Sequence, residues 1–141
     1  METSDYISII ALLVSIGALV YQIYSNRNTI ERDLYAAVFR EYLMVRIPEG
    51  RNQLSIVDGR LHSQQLQQCL SDLRRDILYF KFNNTVFYKA LNDIIINIDD
   101  LVVSINNEEN ERDIQSKLME IDLLINGIYD EVSNVYVHGN R

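Results

Sequence analysis

The chain has 141 residues, with 13 basic and 20 acidic side chains and a formal net charge of −7 at pH 7. This acidity argues against a general affinity for nucleic acid, whose phosphates would repel it. A single cysteine, Cys69, rules out an intramolecular disulfide, and 5 glycines with 1 proline supply little turn chemistry for a β-rich fold.

The first element is an uncharged run from Tyr6 to Asn26, bounded by Asp5 and Arg27. As a helix it would be about 31 Å long, which matches the hydrocarbon thickness of a bilayer. Its start is acidic and its apolar core is too long for a cleaved secretory signal. We therefore predict a transmembrane anchor over residues 1–27. The alternative is a central helix of a soluble bundle, surrounded by other helices.

The positive charges Arg27 and Arg32 follow the run. The positive-inside rule then predicts a single-pass protein of the inner or plasma membrane, with its N-terminus outside and its C-terminal domain in the cytoplasm. The lipid bilayer is thus the first predicted partner.

Small and polar residues form one stripe along the anchor, at alternating steps of three and four residues. They are Ser8, Ala11, Ser15, Ala18, Gln22 and Ser25. Lipid gives helices no hydrophobic reason to associate, so close approach at small residues and interhelical hydrogen bonds usually join them. The stripe predicts a transmembrane association seam. The alternative is that these residues are simply tolerated in a lone anchor.

A helix is predicted over about residues 29–46, which either begins at a cap formed by Asn28 to Glu31 or continues the anchor helix without interruption. One face carries Ile30, Leu34, Val38, Tyr42 and Val45. It should end before Pro48, because the residue before a proline avoids helical geometry. Residues 48–62 are predicted to be a loop, since a short strand there would have no partner.

The longest pattern predicts a helix over residues 63–105, with apolar residues at alternating steps of four and three. Its stripe is Leu66, Leu70, Leu73, Ile77, Phe80, Asn84, Phe87, Leu91, Ile94, Ile98, Leu101 and Ile105. Asn84 is the one polar member, and we consider two roles for it: a register-setting polar residue in a coiled-coil seam, or a kink or solvent-filled gap. The unbroken phase across Asn84 favours one continuous or kinked helix, about 60 Å long if unbroken. The alternative is a break in the helix at residues 83–85.

A polar turn at residues 106–110 precedes a last helix, predicted over residues 111–137. The short turn makes these two helices an antiparallel hairpin. The predicted fold class is thus all-α: an N-terminal transmembrane helix, then a cytosolic helical bundle over residues 28–141 with a long antiparallel hairpin.

No pattern of catalytic or ligand-binding residues is present. His62 and His138 have no second histidine or cysteine at metal-ligand spacing, and the acidic cluster from Glu108 to Asp113 lacks the central glycine of a calcium loop. Nucleotide-binding and hydrolase motifs are absent from the sequence. We predict a protein that is not an enzyme and has no cofactor, no metal and no small-molecule substrate.

The layout of residues 21–48 resembles that of uncharacterised bacterial single-span membrane proteins with a small cytosolic helical domain. In these an anchor leads through a charged turn into an aromatic-rich helix that ends at a proline. The matching residues here are Arg27, Arg32, Tyr35, Arg40, Tyr42 and Pro48. The resemblance implies a bacterial inner-membrane protein and no active site. Some such proteins accompany phage-defence or toxin systems.

From residue 90 onward the sequence has eleven acidic residues and only three basic ones. This acidic part of the chain favours a partner with a basic surface. The leading functional hypothesis is a membrane-anchored, non-enzymatic interaction or scaffold protein that binds itself or a protein partner. One alternative is a membrane-disrupting effector that assembles through its transmembrane helix. Another is a regulatory subunit of a separately encoded enzyme.

Overall fold

The computed structural model describes residues 3–57 and 60–138, apart from the side chains of residues 3–9, 27, 28 and 138. It divides into two units, residues 1–34 and residues 35–141. The chain is mostly helical, as the all-α prediction requires. Its elements in order are α1 (Thr3–Val38), a π-helix (Phe39–Arg46), α2 (Ile47–Asn52), β1 (Ser55–Val57), β2 (Arg60–His62), α3 (Gln64–Asp76), a 3₁₀ turn (Ile77–Tyr79), α4 (Phe80–Asn83), α5 (Thr85–Asn106) and α6 (Glu111–His138).

The first unit is the N-terminal part of α1. Its side chains are exposed from Ile10 to Asn26. Among the residues that the structure describes, no helix is both long and apolar enough to cross a membrane. The described side chains begin at Ile10, so residues 6–9 of the predicted anchor lie outside them.

The second unit is a four-helix bundle whose helices alternate in direction. We call residues 35–52, which span the end of α1, the π-helix and α2, the first bundle helix. Residues further along this helix contact residues that come earlier in α3 and in α6, so the helix is antiparallel to both. Against α3 the pairs are Tyr42 with Asp76, Arg46 with Asp72 and Gly50 with Leu66. Against α6 they are Phe39 with Tyr136, Leu43 with Tyr129 and Arg51 with Asp122.

The prediction of one continuous helix over residues 63–105 is wrong, because the chain reverses direction near Asn84. The segment is two main helices, α3 and α5, joined by the 3₁₀ turn and the short α4. Asn84 has φ −140° and ψ 76°, outside the helical region, and ends α4. Because of this reversal, the end of α5 lies beside the start of α3. There the Asn106 side chain accepts a hydrogen bond from the backbone N–H of Leu61 in β2, at 3.0 Å.

The predicted apolar stripe is nevertheless the core of the bundle. Nine of its members are buried: Leu66, Leu70, Leu73, Ile77, Phe80, Phe87, Leu91, Ile98 and Ile105. In α5 the stripe widens to include Ile95 and Val102, while Ile94 and Leu101 are half-buried. The α5–α6 hairpin has the predicted turn, with α5 ending at Asn106 and α6 beginning at Glu111.

The first bundle helix does not end before Pro48 as predicted. Its backbone changes to a π-helix, in which the N–H of Ile47 bonds to the carbonyl of Tyr42, five residues back. In that register Pro48, which has no N–H, would have been the donor to the carbonyl of Leu43. The hydroxyl of Tyr129 on α6 donates to this carbonyl instead, at 2.5 Å. The helix therefore continues through the proline to Asn52.

The π-helix also changes which residues are buried. Tyr42 and Ile47, five residues apart, are both fully buried, while the predicted core residues Ile30 and Val45 are exposed. Five-residue spacing moves the buried face forward by one position for each turn of π-helix. A pattern read at the α-helical period therefore assigns Val45 to the wrong face.

The predicted loop over residues 48–62 is mostly regular structure. Residues 48–52 belong to α2, and β1 and β2 form an antiparallel pair in which Val57 faces Arg60. Asp58 and Gly59, between the two strands, lie outside the described residues. The loop was predicted because a short strand there would have no partner strand. An Asp-Gly pair between two short segments is a strong hairpin signal, and it could have predicted that the two segments pair with each other.

Gly50 is required by close packing of α2 on α3. An added Cβ would lie 2.9 Å from the Cα of Leu66 and 3.1 Å from its backbone nitrogen. Because backbone atoms cannot move aside cheaply, we expect Gly50→Ala to lower the free energy of unfolding by about 1–2 kcal/mol, after allowance for alanine's better helix propensity.

Gly127→Ala is the matched control. Gly127 lies inside α6, and its added Cβ would meet only the Cδ1 of Ile94, at 3.5 Å. We expect a gain of up to about 1 kcal/mol from helix propensity. Urea unfolding of the full chain in detergent, followed by circular dichroism, measures both. Shifts of the same sign in the two variants would contradict the packing role of Gly50.

Candidate functional site

The apolar surface of α1 is the most unusual surface of the described chain. Its aliphatic side chains between Ile10 and Ile23 are 50% to 67% exposed. They do not form a stripe, because consecutive residues such as Leu12, Leu13 and Val14 are all exposed. A helix that packs on one side of a soluble core would bury one face and carry polar residues on the other. This surface is therefore suited to an environment that is apolar on every side.

The predicted association seam lies on this exposed helix. Ala11, Ser15, Ala18, Gln22 and Ser25 are all exposed, and the side chain of Ser8 lies outside the described residues. The Ser15 hydroxyl donates to the backbone carbonyl of Ala11 within the same helix, at 2.8 Å. Ser15 thus has a hydrogen-bond partner without a second helix. What the seam offers another helix is chiefly close backbone approach at small side chains.

Polar and aromatic side chains follow the apolar run. A groove of 380 Å³ is lined by Tyr21, Tyr24, Ser25, Thr29, Arg32 and Asp33. Tyr21 and Tyr24 are 74% and 68% exposed. Tyrosines are enriched where a membrane-spanning helix meets the aqueous interface. The C-terminal end of the run is thus amphipathic in composition, unlike its aliphatic centre.

A second polar site, which the sequence did not reveal, joins the first bundle helix to α3. The Tyr42 hydroxyl donates to Asp76, and the Arg46 guanidinium bonds to Asp72 at 2.5 Å. Arg46 also lies over the Tyr42 ring, 5.1 Å from its centroid, and Arg75 lies 3.4 Å from Asp72. Tyr42 and Arg46 are one turn apart on one helix, as are Asp72 and Asp76 on the other. A paired i, i+4 spacing could have suggested this network only if the two helices were known to face each other.

The network changes proton affinities in a direction that favours a structural role. Burial, together with the hydrogen bond to Asp76, raises the pKa of the Tyr42 hydroxyl and keeps it protonated. The hydrogen bond from Arg46 lowers the pKa of Asp72 and keeps it charged. Each group is held in its ordinary state at neutral pH. Proton transfer, which requires a group poised near that pH, is thus disfavoured.

Because the folded-state pKa of Asp72 lies below its unfolded value, its stabilising effect is complete above about pH 4 and is lost as the pH falls further. We expect Asp72→Asn to lower the urea midpoint of unfolding at pH 7. Between pH 4 and pH 2 the midpoint of the variant should fall by less than the midpoint of the unmodified chain. Urea titrations at a series of pH values measure this difference. Parallel pH profiles for the two proteins would show that Asp72 has no linked protonation.

The second unit also has a groove that is polar and open. It has a volume of 730 Å³ and is lined by Gly50, Asn52, Gln53, Ser55, His62, Gln64, Gln65 and Gln68. Carboxamides dominate this lining, and His62 is its one titratable side chain. Ser55 pairs with His62 across the two strands, but the lining has no carboxylate to orient the imidazole as the base of a nucleophile. We assign it no reaction.

Cys69 is 2% exposed, and burial raises the pKa of its thiol to about 11. A reactive cysteine has the opposite properties, a lowered pKa and access to solvent. Within the residues that the structure describes, no group of three or more histidine, cysteine, aspartate or glutamate side chains is placed to hold a metal ion. The side chain of His138 lies outside this description.

Asn84 occupies the point where the bundle chain reverses. Its side-chain oxygen accepts a hydrogen bond from the backbone N–H of Phe87, at 3.2 Å, and so caps the start of α5. Its side-chain nitrogen donates to the hydroxyl of Tyr35, at 2.8 Å. Asn84 thus ends one helix and caps the next, which is a break in the helix at residues 83–85 and not a kink within a continuous helix. It ties the break to the residue at which the chain enters the bundle.

No protein-family model, curated protein or solved structure matches this chain. The functional proposal therefore depends on the chain's own sequence and geometry.

Proposed function

We propose that this chain is a membrane-anchored, non-enzymatic helical protein that acts by binding a second copy of itself or a protein partner. The observation that carries the proposal is the exposure of α1 on all sides between Ile10 and Ile23. Soluble monomers seldom expose a continuous apolar surface of this size. One helical partner would cover one face, whereas a bilayer covers every face.

The flanking residues support an orientation for this anchor. Asp5 precedes the apolar run and Arg27 and Arg32 follow it, which favours a bundle on the cytoplasmic side. The layout shared with bacterial single-span proteins favours a bacterial inner membrane. The bundle would then be held at the membrane surface, available to partners in the cytoplasm.

Extraction of membranes that contain the full chain tests the anchor directly. An integral span should stay in the membrane pellet after an alkaline carbonate wash and should dissolve only with detergent. Release of the unmodified chain into the supernatant without detergent would overturn the proposal. A detergent extract should also contain a homo-oligomer or a stable partner. A strictly monomeric chain with no bound partner would contradict the proposal that the protein acts by binding itself or another protein.

The association seam gives a specific prediction about assembly. The double variant Ser15→Leu with Ala18→Leu places two bulky side chains where helices would approach closely. We expect it to weaken self-association in the membrane by roughly tenfold, which corresponds to about 1.4 kcal/mol. Energy transfer between labelled copies in vesicles measures the change.

Gly17→Leu is the control for this variant, because Gly17 lies off the seam and nothing lies within 4 Å of its added Cβ. Its association should match that of the unmodified chain. Equal losses in the two variants would show that bulk anywhere on the helix disturbs assembly. Unchanged association in both would mean that the seam does not join copies.

A further inference from the structure

We propose that one end of the helical bundle docks on the anionic surface of the membrane through a patch of exposed apolar side chains at the break between α3 and α5. We call Leu78, Tyr79, Phe82 and Val86 the break patch. This inference rests on the proposed anchor and adds to it a second membrane contact, made by the bundle itself.

The break patch exposes apolar side chains that a soluble bundle would ordinarily cover. Phe82 and Val86 are 84% and 80% exposed, and Leu78 and Tyr79 are 47% and 38% exposed. These residues flank the non-helical Asn84, where the chain is already committed to a turn. Loop and turn positions in a bundle are usually polar, so four exposed apolar residues here need a covering environment.

The segment that carries the break patch has a charge opposite to that of the chain as a whole. From Ile77 to Ala90 there is no acidic residue, and Lys81 and Lys89 are both exposed. The ammonium of Lys81 lies 5.8 Å from the centroid of the Phe82 ring. Exposed aromatic and aliphatic residues beside lysines are the composition of surfaces that insert shallowly into an anionic lipid interface.

The break patch lies at the end of the bundle where the chain enters it. Tyr35, the first residue of the second unit, stacks on Phe80 with 4.4 Å between ring centroids and accepts a hydrogen bond from Asn84. Tyr35 is nine residues after Asn26, the last residue of the apolar run. Even a fully extended chain of that length reaches only about 30 Å. If the run is in the bilayer, the chain therefore holds Tyr35 within about 30 Å of the membrane surface.

The same surface would repel the other end of the bundle. The α5 helix has 22 residues, so the turn after Asn106 lies about 33 Å from the break along the helix. That turn leads into Glu108, Glu109 and Glu111, and Lys117 pairs with only one of them, Glu108, at 2.8 Å. An anionic leaflet attracts Lys81 and Lys89 and repels this turn, so it favours one orientation of the bundle.

A second copy of the chain is a poorer occupant for the break patch. Copies anchored in the same membrane with the same orientation would present their break patches at the same height. Their lysines would then face lysines, while the acidic turns lie at the far end. A bilayer surface meets both the apolar and the cationic character of the patch.

The sequence contains no tryptophan, so each introduced tryptophan is a unique fluorescent reporter. We would reconstitute three full-length variants into vesicles of phosphatidylcholine and phosphatidylglycerol that contain bromine-labelled lipid. Phe82→Trp reports on the break patch and Ile16→Trp on the anchor. Val103→Trp, at a 58% exposed position near the far end of α5, is the matched control.

Docking predicts strong bromolipid quenching of the tryptophan at position 82 and none at position 103. Quenching at position 16 with none at position 82 would overturn the docking and leave the anchor intact. Absence of quenching at position 16 would overturn the anchor, and the docking with it. Shielding of position 82 from aqueous iodide without bromolipid quenching would overturn the docking in favour of a second copy.

The charge contribution is tested in the Phe82→Trp background with Lys81→Glu and Lys89→Glu added. Each lysine near an anionic surface is worth about fivefold in binding, so the ratio of docked to undocked molecules should fall by at least about 25-fold. The Arg60→Glu variant in the same background, at an exposed position in β2, is the control and should leave the quenching unchanged. Equal losses from both changes would overturn a specific role for the break-patch lysines.

Discussion

If α1 is the proposed anchor, Val14→Arg should move most of the protein from the membrane fraction to the soluble or aggregated fraction. Val14 is 65% exposed and lies at the middle of the apolar run. The ten aliphatic residues from Ile7 to Ile23 favour insertion by about 4 kcal/mol in total. An arginine at the centre of the span costs about 3 kcal/mol, which nearly cancels this preference. Sedimentation of cell extracts followed by immunodetection measures the distribution.

Thr29→Arg is the control for this prediction. Thr29 is exposed and lies just beyond the apolar run, next to Arg27 and Arg32. An arginine there adds the same charge on the side that the positive-inside rule favours. The variant should remain in the membrane fraction. If Val14→Arg also remains there and resists carbonate, α1 is held by contacts other than an apolar span.

The helical pattern was predictable from the sequence where helices are regular and pack along one stripe. The apolar residues predicted to line one face of α6 are buried at five positions, Ile114, Ile121, Ile125, Ile128 and Val132, and half-buried at two, Leu118 and Val135. In a 28-residue helix with few competing turn signals, the apolar periodicity alone decides which face is buried. The same holds for α3, whose leucines alternate with polar residues.

The path of the first bundle helix was not predictable, because it depends on a contact made from a distant part of the chain. Pro48 would normally break or end the helix by removing a donor. Here the hydroxyl of Tyr129, 81 residues later, supplies the missing hydrogen bond to Leu43. The π-register that makes this possible also moved Val45 out of the core and Ile47 into it. Local sequence cannot show that a later helix will satisfy a carbonyl.

The network of Tyr42, Arg46, Asp72 and Asp76 has the same kind of cause. Each residue read by itself is an ordinary polar position on a helix. Only the antiparallel placement of α3 against the first bundle helix brings Arg46 to Asp72 and Tyr42 to Asp76. That placement is made by the antiparallel strands β1 and β2, which lie between the two helices in the segment predicted to be a loop. The reversal at Asn84, which the unbroken heptad phase concealed, then returns the chain from α3 to α5.

The reversal itself depends on an aromatic cluster of Tyr35, Phe80 and Phe87. The ring centroids of Phe80 and Phe87 are 5.1 Å apart, and the Tyr35 ring lies 4.4 Å and 5.1 Å from them. Phe80 and Phe87 lie on opposite sides of Asn84, so their contact holds the two arms of the turn together. Aromatic pairs of this geometry contribute about 0.5–1.5 kcal/mol beyond their area of burial.

Phe80→Ala should therefore lower the free energy of unfolding by about 3–5 kcal/mol, through loss of a fully buried ring and its contacts with Tyr35, Tyr79 and Phe87. Phe82→Ala, two residues later, removes a ring that is 84% exposed and should change it by less than about 0.5 kcal/mol. Urea unfolding in detergent, where no lipid covers the break patch, measures both.

A double-mutant cycle with Asn84→Ala then separates the cap from the cluster. Loss of the cap alone should cost about 0.5–2 kcal/mol. Because Asn84 and Phe80 both contact Tyr35, the double variant should lose less than the two single losses added together. Strict additivity would mean that the cap and the aromatic cluster stabilise the turn independently. A small effect of Phe80→Ala would instead mean that the packing of α3 against α5 along their length, and not the aromatic cluster, stabilises the reversal of the chain.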